Sequence, residues 1–490
     1  ILKKVLFRVD SSSIIGGGHL VRCLEFAKLL KKNKYDVYFV CKNIKGNLNN
    51  WIIKEKFNLL LINDTSKNYD EDFKNSEKLI KNLGKFDFIV VDNYQLDILW
   101  ESKMRKYSKK IIAIDDLANR KHDCDILIDQ NFIENNHLRY EGLVNKNTIK
   151  LLSPKYSIIK KEFRNINLKK SISQKVENIF ICFGATDPNN HSLKVLEALD
   201  LLNHKLNSIN VFTTEENLNY EVLKKKCSAT QNCFFYSNKL LLPEILSSCD
   251  LAVGGGGSMC WERAYLGIPS IVFGVAENQI EIIKALIKNE IVVGEHWHPK
   301  PDIKTIKYWL KFVIDNPKIL EKLSNKSRKM VDGFGLDRIN EFIHPVEFKF
   351  RKVTLSDAKK LFFWRNNPEI RKISKNKNTF NFDSHMIWLK QVLKDPKILF
   401  LIAENENEPI GVIRFNIFQN IASLSIYKVP NSRKSFGLIK KSSNWLFKRH
   451  PNIKGIKADI LEENEVSYNA FYSAGYRPFK STMYLDKTWK

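Results

Sequence analysis

Short apolar runs alternate with amphipathic helical patterns along the first two-thirds of the chain, and no other feature restricts the fold as strongly. The runs are KVLFRVD, DVYFVC, NLLLIND, FDFIVVD, KIIAIDD and DILIDQN, with HLVRCLEFAKLLKK as the first helical stretch. Runs that are apolar on successive rather than alternate residues belong to strands buried on both faces, as parallel strands covered by helices are. A second series follows LLSPKYSIIKKEF: NIFICFGATD, a helix through HSLKVLEALDLL, SINVFT, LAVGGGGS, a helix at MCWERAYLG, and SIVFG. Two such series predict two Rossmann-like domains, at 1–155 and 156–340, facing each other across a cleft. At 490 residues the chain is long enough for more than one core.

Near Pro345 the pattern changes, and no cysteine follows Cys260. A strand, EFKFRKVTL, leads into a helix, SDAKKLFFWRNN; later come two antiparallel-looking strands, ILFLIAENENEPIGVIRFNI and ASLSIYKV, with turn chemistry in ENENEP. This predicts a linker at 341–347 and a smaller α+β domain at 348–490.

Composition narrows the function classes. The net charge of +26 comes mostly from dispersed lysines, not from one arginine-rich block, so nucleic acid is not the expected partner, although the field attracts anionic nucleotides. No apolar run approaches the ~18 residues of a membrane span, and no signal-peptide pattern opens the sequence; a cytoplasmic enzyme is expected. The eight cysteines contain no CxxC pair, which reads as reduced, buried thiols with no disulfide and no zinc.

The stretch RVDSSSIIGGGHLVRC places a strand end at Asp10, three glycines at Gly16, Gly17 and Gly18, and a helix from about His19. Parallel strands present ligands at their C-terminal edges, and a glycine turn before a helix exposes free N–H groups and a positive dipole end. The arrangement favours an anion. It is neither a Walker loop nor a clean GxGxxG, so the glycines alone equally allow a tight turn with His19 as a helix-start residue. In DPNNH, after Gly184, the spacing reads as a helix cap.

Taken together, RVDSSSIIGGGHLVRCLEFA, VDNYQLD, IDDLANRKHDCDILIDQN, LLSPKYSIIKKEF, FGATDPNNHSLKVLEAL and GGGGSMCWERAYLGIPSIVFGVAENQ resemble the UDP-2,4-diacetamido-2,4,6-trideoxy-β-L-altropyranose hydrolases of pseudaminic acid biosynthesis. The resemblance implies a glycosyltransferase-B-like fold and release of UDP by water attack at the anomeric carbon, with inversion and without a metal. It implies that His19 activates the water, a role an imidazole can fill near neutral pH. Asp10, Gly17, Gly18, Arg22, Asp92 and Tyr94 are then expected on the sugar, with Asp115 a further strand-end carboxylate. Gly256, Gly257, Ser258, Glu262, Asn278 and Gln279 are expected on UDP, Glu262 accepting both ribose hydroxyls. A solvated helix glutamate is the alternative for Glu262. The same fold also serves UDP-sugar glycosyltransferases, the main rival reading. The pair Asp115–Asp116 resembles half a metal site, a reading rejected here.

In the C-terminal segment, LFFWRNNPEIRKIS, SHMIWLKQVL, PIGVIRF, SLSIYKVPNSRKSFG and NEVSYNAFYSAGYRPF resemble the GNAT N-acetyltransferases, in particular the branch acting on a UDP-4-amino-sugar. The resemblance implies acetyl-CoA bound along a splayed strand at Ser425–Lys428, with Ile426, Lys428, Arg433, Lys434, Ser435, Gly437, Asn464 and Tyr472 as its contacts. The sequence departs from the family loop, Gln/Arg-x-x-Gly-x-Gly/Ala, at Ser432 and Ser435, and only the second glycine, Gly437, survives. Phe471 stands where the family has its tyrosine acid, with Tyr472 and Tyr468 as substitutes; Phe471, Tyr472 and Tyr476 equally suit a core. A docking domain without catalysis is the competing reading of this segment.

Overall fold

The computed structural model describes residues 3–12, 15–63, 68–166, 175–202, 204–238, 241–296, 301–345, 347–372, 374, 376–432, 437–461, 464–479 and 482–488. Residues Ile1–Leu336 pack as one compact unit and Asp337–Lys490 as a second.

The first unit contains two parallel sheets. In chain order, β1 (Lys3–Val9), β2 (Tyr35–Lys42), β3 (Asn58–Ile62), β4 (Phe86–Asp92), β5 (Ser108–Ile114), β6 (Ile126–Asp129) and β7 (Ile149–Leu152) form a sheet ordered β3-β2-β1-β4-β5-β6-β7. The second sheet, from β8 (Asn178–Cys182), β9 (Ser208–Phe212), β10 (Cys233–Tyr236), β11 (Leu251–Gly255), β12 (Ser270–Phe273) and β13 (Val293–Glu295), runs β10-β9-β8-β11-β12-β13. Both orders reverse direction beside their first strand, the crevice where doubly wound sheets bind ligands. The two halves are Rossmann-like and the pair is glycosyltransferase-B-like, as expected. Double-sided burial is visible residue by residue: Ile179 and Ile181 of β8 enter one core, Phe180 and Cys182 the other.

In the first half the register sets Val9 beside Asp92, so the carboxylates following β1 and ending β4 are neighbours. Their fates differ. Arg8, fully buried in β1, takes Asp10 in a two-point ion pair at 2.7 and 2.8 Å and Asp72 on its other edge at 3.0 and 2.5 Å. The Lys42 amide and Asn93 also donate to Asp10. Burial lowers the proton affinity of Arg8, but the two carboxylates raise it well above the ordinary range, so the charge is kept.

The second unit is a mixed sheet, from β14 (Lys349–Lys352), β15 (Ile398–Asn405), β16 (Glu408–Phe418), β17 (Ile421–Lys428), β18 (Gly455–Ala458), β19 (Arg477–Phe479) and β20 (Thr482–Asp486), ordered β14-β15-β16-β17-β18-β20-β19. It is the α+β sheet expected of a GNAT domain. Glu406 and Asn407 both have positive φ, 51° and 65°, and make the tight turn expected in ENENEP. β17 pairs with β16 along its whole length, but with β18 only from Ile421 to Ser423. Beyond Ser423 the two parallel strands part, which is the splay.

His122 links β5 to the helix Ile98–Met104 from the core of the first half. Its Nδ1 bonds Glu101 Oε1 at 2.8 Å and its Nε2 lies 3.8 Å from Asp115. Burial pulls its pKa down; the two carboxylates outweigh this and push it up to about 9. Since the unfolded value is ~6.5, the stabilisation is full below pH ~6.5 and is lost as pH rises through about 9. The urea midpoint of the N-terminal unit should therefore fall across that window, and His122→Gln should flatten the fall. An unchanged slope in the variant would contradict the pairing.

Candidate functional site

The C-terminal ends of both first-unit sheets line one cleft of about 270 Å³. From the first half come Gly16–His19, Arg22, Trp51, Tyr94, Asp116 and Asn131; from the second, Gly184–Thr186, Gly255–Met259, Glu262, Asn278 and Gln279, with Lys160 between the halves.

The glycine turn of the opening motif is set by backbone demands. Gly16 has φ +80°, and a Cβ on Gly17 would sit 2.6 Å from Leu48 Cδ1. A Cβ on Gly18 would lie 3.4 Å from Ser258 Oγ, so the two glycine turns face each other across the cleft. The helix Gly18–Lys32 then carries His19 and Arg22 over the end of β4. His19 Nδ1 meets Asp92 Oδ1 at 2.6 Å, and Arg22 donates to both oxygens of Asp92 at 2.6 Å. Asp92 is an acceptor here, so Nδ1 of a neutral His19 carries the hydrogen and Nε2 keeps its lone pair. The 3.1 Å approach of Arg22 Nη2 to Nδ1 follows from two donors converging on one oxygen. Burial would raise the Asp92 pKa, but the charge of Arg22, with His19, holds it well below the usual carboxylate range.

Arg22 reaches onward to Asp116 at 2.8 and 2.9 Å, and Tyr94 donates its hydroxyl to the same carboxylate at 2.8 Å. The Tyr94 ring stands edge-on to His19, centroids 4.5 Å apart, and Asn278 of the second half donates to its hydroxyl at 3.2 Å. A direct hydrogen bond thus crosses the cleft. Gln279 Oε1 accepts from the Gly256 and Val275 amides at 3.0 and 3.3 Å and fixes the second glycine turn. Ser258 caps the helix Met259–Leu266 through its backbone. Glu262, 6 % exposed, is no solvated surface glutamate: it faces the cleft with Lys160 Nζ 3.3 Å from Oε1.

The expected residues therefore divide. His19, Gly17, Gly18, Arg22, Tyr94, Gly256, Gly257, Ser258, Glu262, Asn278 and Gln279 line the cleft. Asp92 stands behind His19 and Arg22, and Asp10 is engaged by Arg8. Asp115 is taken by Arg120 at 2.7 Å and by the Ala118 amide, so the Asp115–Asp116 pair is held by arginines. Asp187 accepts from the His191 and Ser192 amides and caps the next helix, as the spacing of DPNNH suggests. Lys160 and Trp51 were not among the expected residues, since a single lysine or tryptophan carries no spacing signal; Asp116, noted in the sequence only for its pairing with Asp115, instead accepts from Arg22 and Tyr94.

In the second unit a cavity of about 690 Å³ opens beside the splay, and Ser425, Ile426, Tyr427 and Asn464 line it. Lys428 is exposed at the end of β17, and Gly437, φ +75°, starts the helix Leu438–Arg449. Asn464 caps the next helix by accepting from the Ser467 amide at 3.1 Å. Arg433, Lys434 and Ser435 lie outside the described residues. Phe471 packs edge-on against Tyr476, 4.9 Å between centroids, and lines the cavity. Tyr472 stacks on Tyr468 and lies under the Arg477 guanidinium, 4.2 Å from its ring centroid, and neither tyrosine lines the cavity. His385, unforeseen, lines it too; its Nε2 donates to the Ala358 carbonyl, which leaves Nδ1 as the basic nitrogen, and burial lowers its pKa.

No family model matches this chain. Over an alignment of 509 positions, gaps included, it is 26 % identical to an uncharacterized protein of Methanocaldococcus jannaschii, spanning 97 % of each chain. Over 264 residues, 54 % of this chain and 88 % of the relative, it is 29 % identical to the UDP-2,4-diacetamido-2,4,6-trideoxy-β-L-altropyranose hydrolase of Campylobacter jejuni. Over 137 residues, 28 % of this chain and 73 % of the relative, it is 26 % identical to acetyltransferase PseH of the same species. Among solved structures, Acinetobacter baumannii MurG superposes with a TM-score of 0.49 at 13 % identity, covering 70 % of this chain and 99 % of that one. The N-terminal part is thus similar to a nucleotide-sugar hydrolase and the C-terminal part to an acetyltransferase.

The second glycine run separates packing from site. A Cβ on Gly254 would sit 2.2 Å from the Cys182 carbonyl oxygen, the neighbouring strand's backbone, whereas nothing comes nearer than 3.8 Å at Gly257. Gly254→Ala should lower the melting temperature by an amount equivalent to about 1–3 kcal/mol, while Gly257→Ala should leave it within ~0.5 kcal/mol. Equal effects in calorimetry would refute the assignment.

Proposed function

We propose that the chain is a bifunctional enzyme of pseudaminic acid biosynthesis. Its N-terminal unit hydrolyses UDP-2,4-diacetamido-2,4,6-trideoxy-β-L-altropyranose, and its C-terminal unit acetylates the preceding UDP-4-amino-sugar. The observation that carries this reading is the opposition across one cleft of a buried Asp92–His19 pair and a glycine turn at the start of the helix Met259–Leu266.

In the first reaction His19 Nε2 takes a proton from water as the water oxygen bonds to the anomeric carbon. The bond from that carbon to the β-phosphate oxygen breaks, and the electron pair leaves with UDP. Attack from the side opposite the leaving group inverts the centre. Asp92 holds the imidazole ring and balances the charge that forms on it. The Gly257 and Ser258 amides, the helix dipole and Lys160 stabilise the departing diphosphate. Glu262 accepts from the ribose hydroxyls. In this mechanism Arg22 and Asp92 position His19, while Tyr94 packs against the sugar.

In the second unit the splayed edge of β17 fits acetyl-CoA, because the amides and carbonyls of Ser425–Lys428 lack β18 as a partner on that side. Acetyl-CoA supplies a thioester whose carbonyl the sugar amine attacks: the N–C bond forms, the C–S bond breaks, and the amine proton ends on the thiol. Phe471 offers no acid at its position in the cavity wall.

His19→Ala should lower kcat for UDP release by about 10²- to 10⁴-fold with UDP affinity preserved. Asp92→Asn should also reduce kcat more than it raises KM, and should cost little more in a His19→Ala background, because it acts through the same ring. Additive losses would count against that coupling. The assay is UDP release without an acceptor; activity that appears only when an acceptor alcohol is added would favour a glycosyltransferase.

Glu262→Ala should weaken UDP binding by about 10- to 150-fold, the loss of a charge-assisted hydrogen bond. Titration calorimetry reads this, and an unchanged Kd would place the ribose elsewhere.

A further inference from the structure

One wall of the second unit's cavity has a composition that packing does not require. Antiparallel register sets Val412 opposite Tyr427, Arg414 opposite Ser425 and Asn416 opposite Ser423, so these six side chains share one face of β16 and β17. At its Val412 end this face belongs to the apolar cluster with Phe400, Ile402 and the helices Ala358–Asn366 and Phe382–Lys394. A sheet face covered by helices is ordinarily apolar along its length. Here it turns polar at Arg414, and the polar residues line the cavity instead of filling it.

Arg365, from the helix Ala358–Asn366, enters the same space. Its Nη1 donates to Ser374 Oγ at 2.8 Å; the Arg414 guanidinium lies 5.8 Å from the Trp388 ring centroid, and its Nε has no hydrogen-bond partner among the described residues. Burial, then the charge of Arg365, lowers the Arg414 pKa. Among the described residues no ion pair joins either arginine to a carboxylate. Asp459 also lines the cavity but, among the described residues, pairs with neither arginine. Two guanidiniums that share a cavity without an ion-pair partner are costly unless an anion completes them, and their planar forks match phosphate oxygens.

We propose that Arg365 and Arg414 hold the phosphate groups of a nucleoside-diphosphate amino-sugar, the acceptor of acetyl transfer. This rests on the acetyltransferase reading above. The cofactor's own phosphates are the other source of such an anion. Gly437, at the helix start where they are expected, follows Lys428, and Lys428 is three residues, about 10 Å, along β17 from Ser425, the partner of Arg414. The arginine pair therefore faces the acceptor end of the splay.

The test uses the full chain with Arg365→Gln, Arg414→Gln and the double variant. With UDP-4-amino-4,6-dideoxy-N-acetyl-β-L-altrosamine as acceptor, each single change should raise its KM about 10- to 150-fold. The KM for acetyl-CoA should stay within about twofold, which also reports a folded unit. A rise in the acetyl-CoA KM instead would assign the arginines to the cofactor and overturn the proposal. Calorimetric titration with UDP decides independently of turnover: the double variant should bind one UDP fewer than the wild type, its circular dichroism unchanged. Equal stoichiometry would overturn the proposal. A missing site in the variant together with no acetylation by the wild type would instead retain the anion site and reject the acetyltransferase reading.

Discussion

The buried carboxylate of Asp92 is the point on which the N-terminal site depends. It ends β4 beside β1, and it can remain ionised there because Arg22 offsets the cost of burial. His19 and Arg22 converge on it from one helix, and Arg22 extends the network to Asp116 at the end of β5. Within this cluster two carboxylates face one guanidinium, which leaves one negative charge in excess.

The second half of the cleft repeats the strand, glycine turn and helix arrangement for a different purpose. At Gly18 the absent side chain allows close approach to Ser258 across the cleft. At Gly254 it allows two strands to pack, and Gln279 braces the turn from the following loop. Backbone amides held in this way reorganise little when an anion is presented to them.

The C-terminal unit uses a broken ladder and a polar stripe. Where β17 and β18 part, the backbone loses its partners on one edge, and a ligand rich in amides can supply them. Beside that edge, Arg414, Ser425, Asn416 and Ser423 interrupt an otherwise apolar face and keep the space open. Phe471 completes the cavity wall with an apolar ring.

The sequence by itself determined the local features. Doubly buried strands, the two glycine turns, the 406–407 hairpin and the Asp187 cap are written in stretches of ten to twenty residues, because hydrophobic periodicity and φ preferences act at short range. The edge strands β7, β10 and β13 escaped notice: they are three or four residues long and lack the buried β-branched run that marks the equally short β6 and β12. Only the tertiary structure decided what each charged group does. Asp10 and Asp92 look alike as strand-end aspartates, yet Arg8 takes one and Arg22 with His19 the other. The arginine pair in the second unit was equally hidden, since Arg365 and Arg414 meet only when a helix lies on the sheet. A carboxylate or guanidinium takes its role from the opposite charge the fold sets beside it, and Arg8 meets Asp72, as Arg22 meets Asp92 and Asp116, only through long-range strand and helix packing.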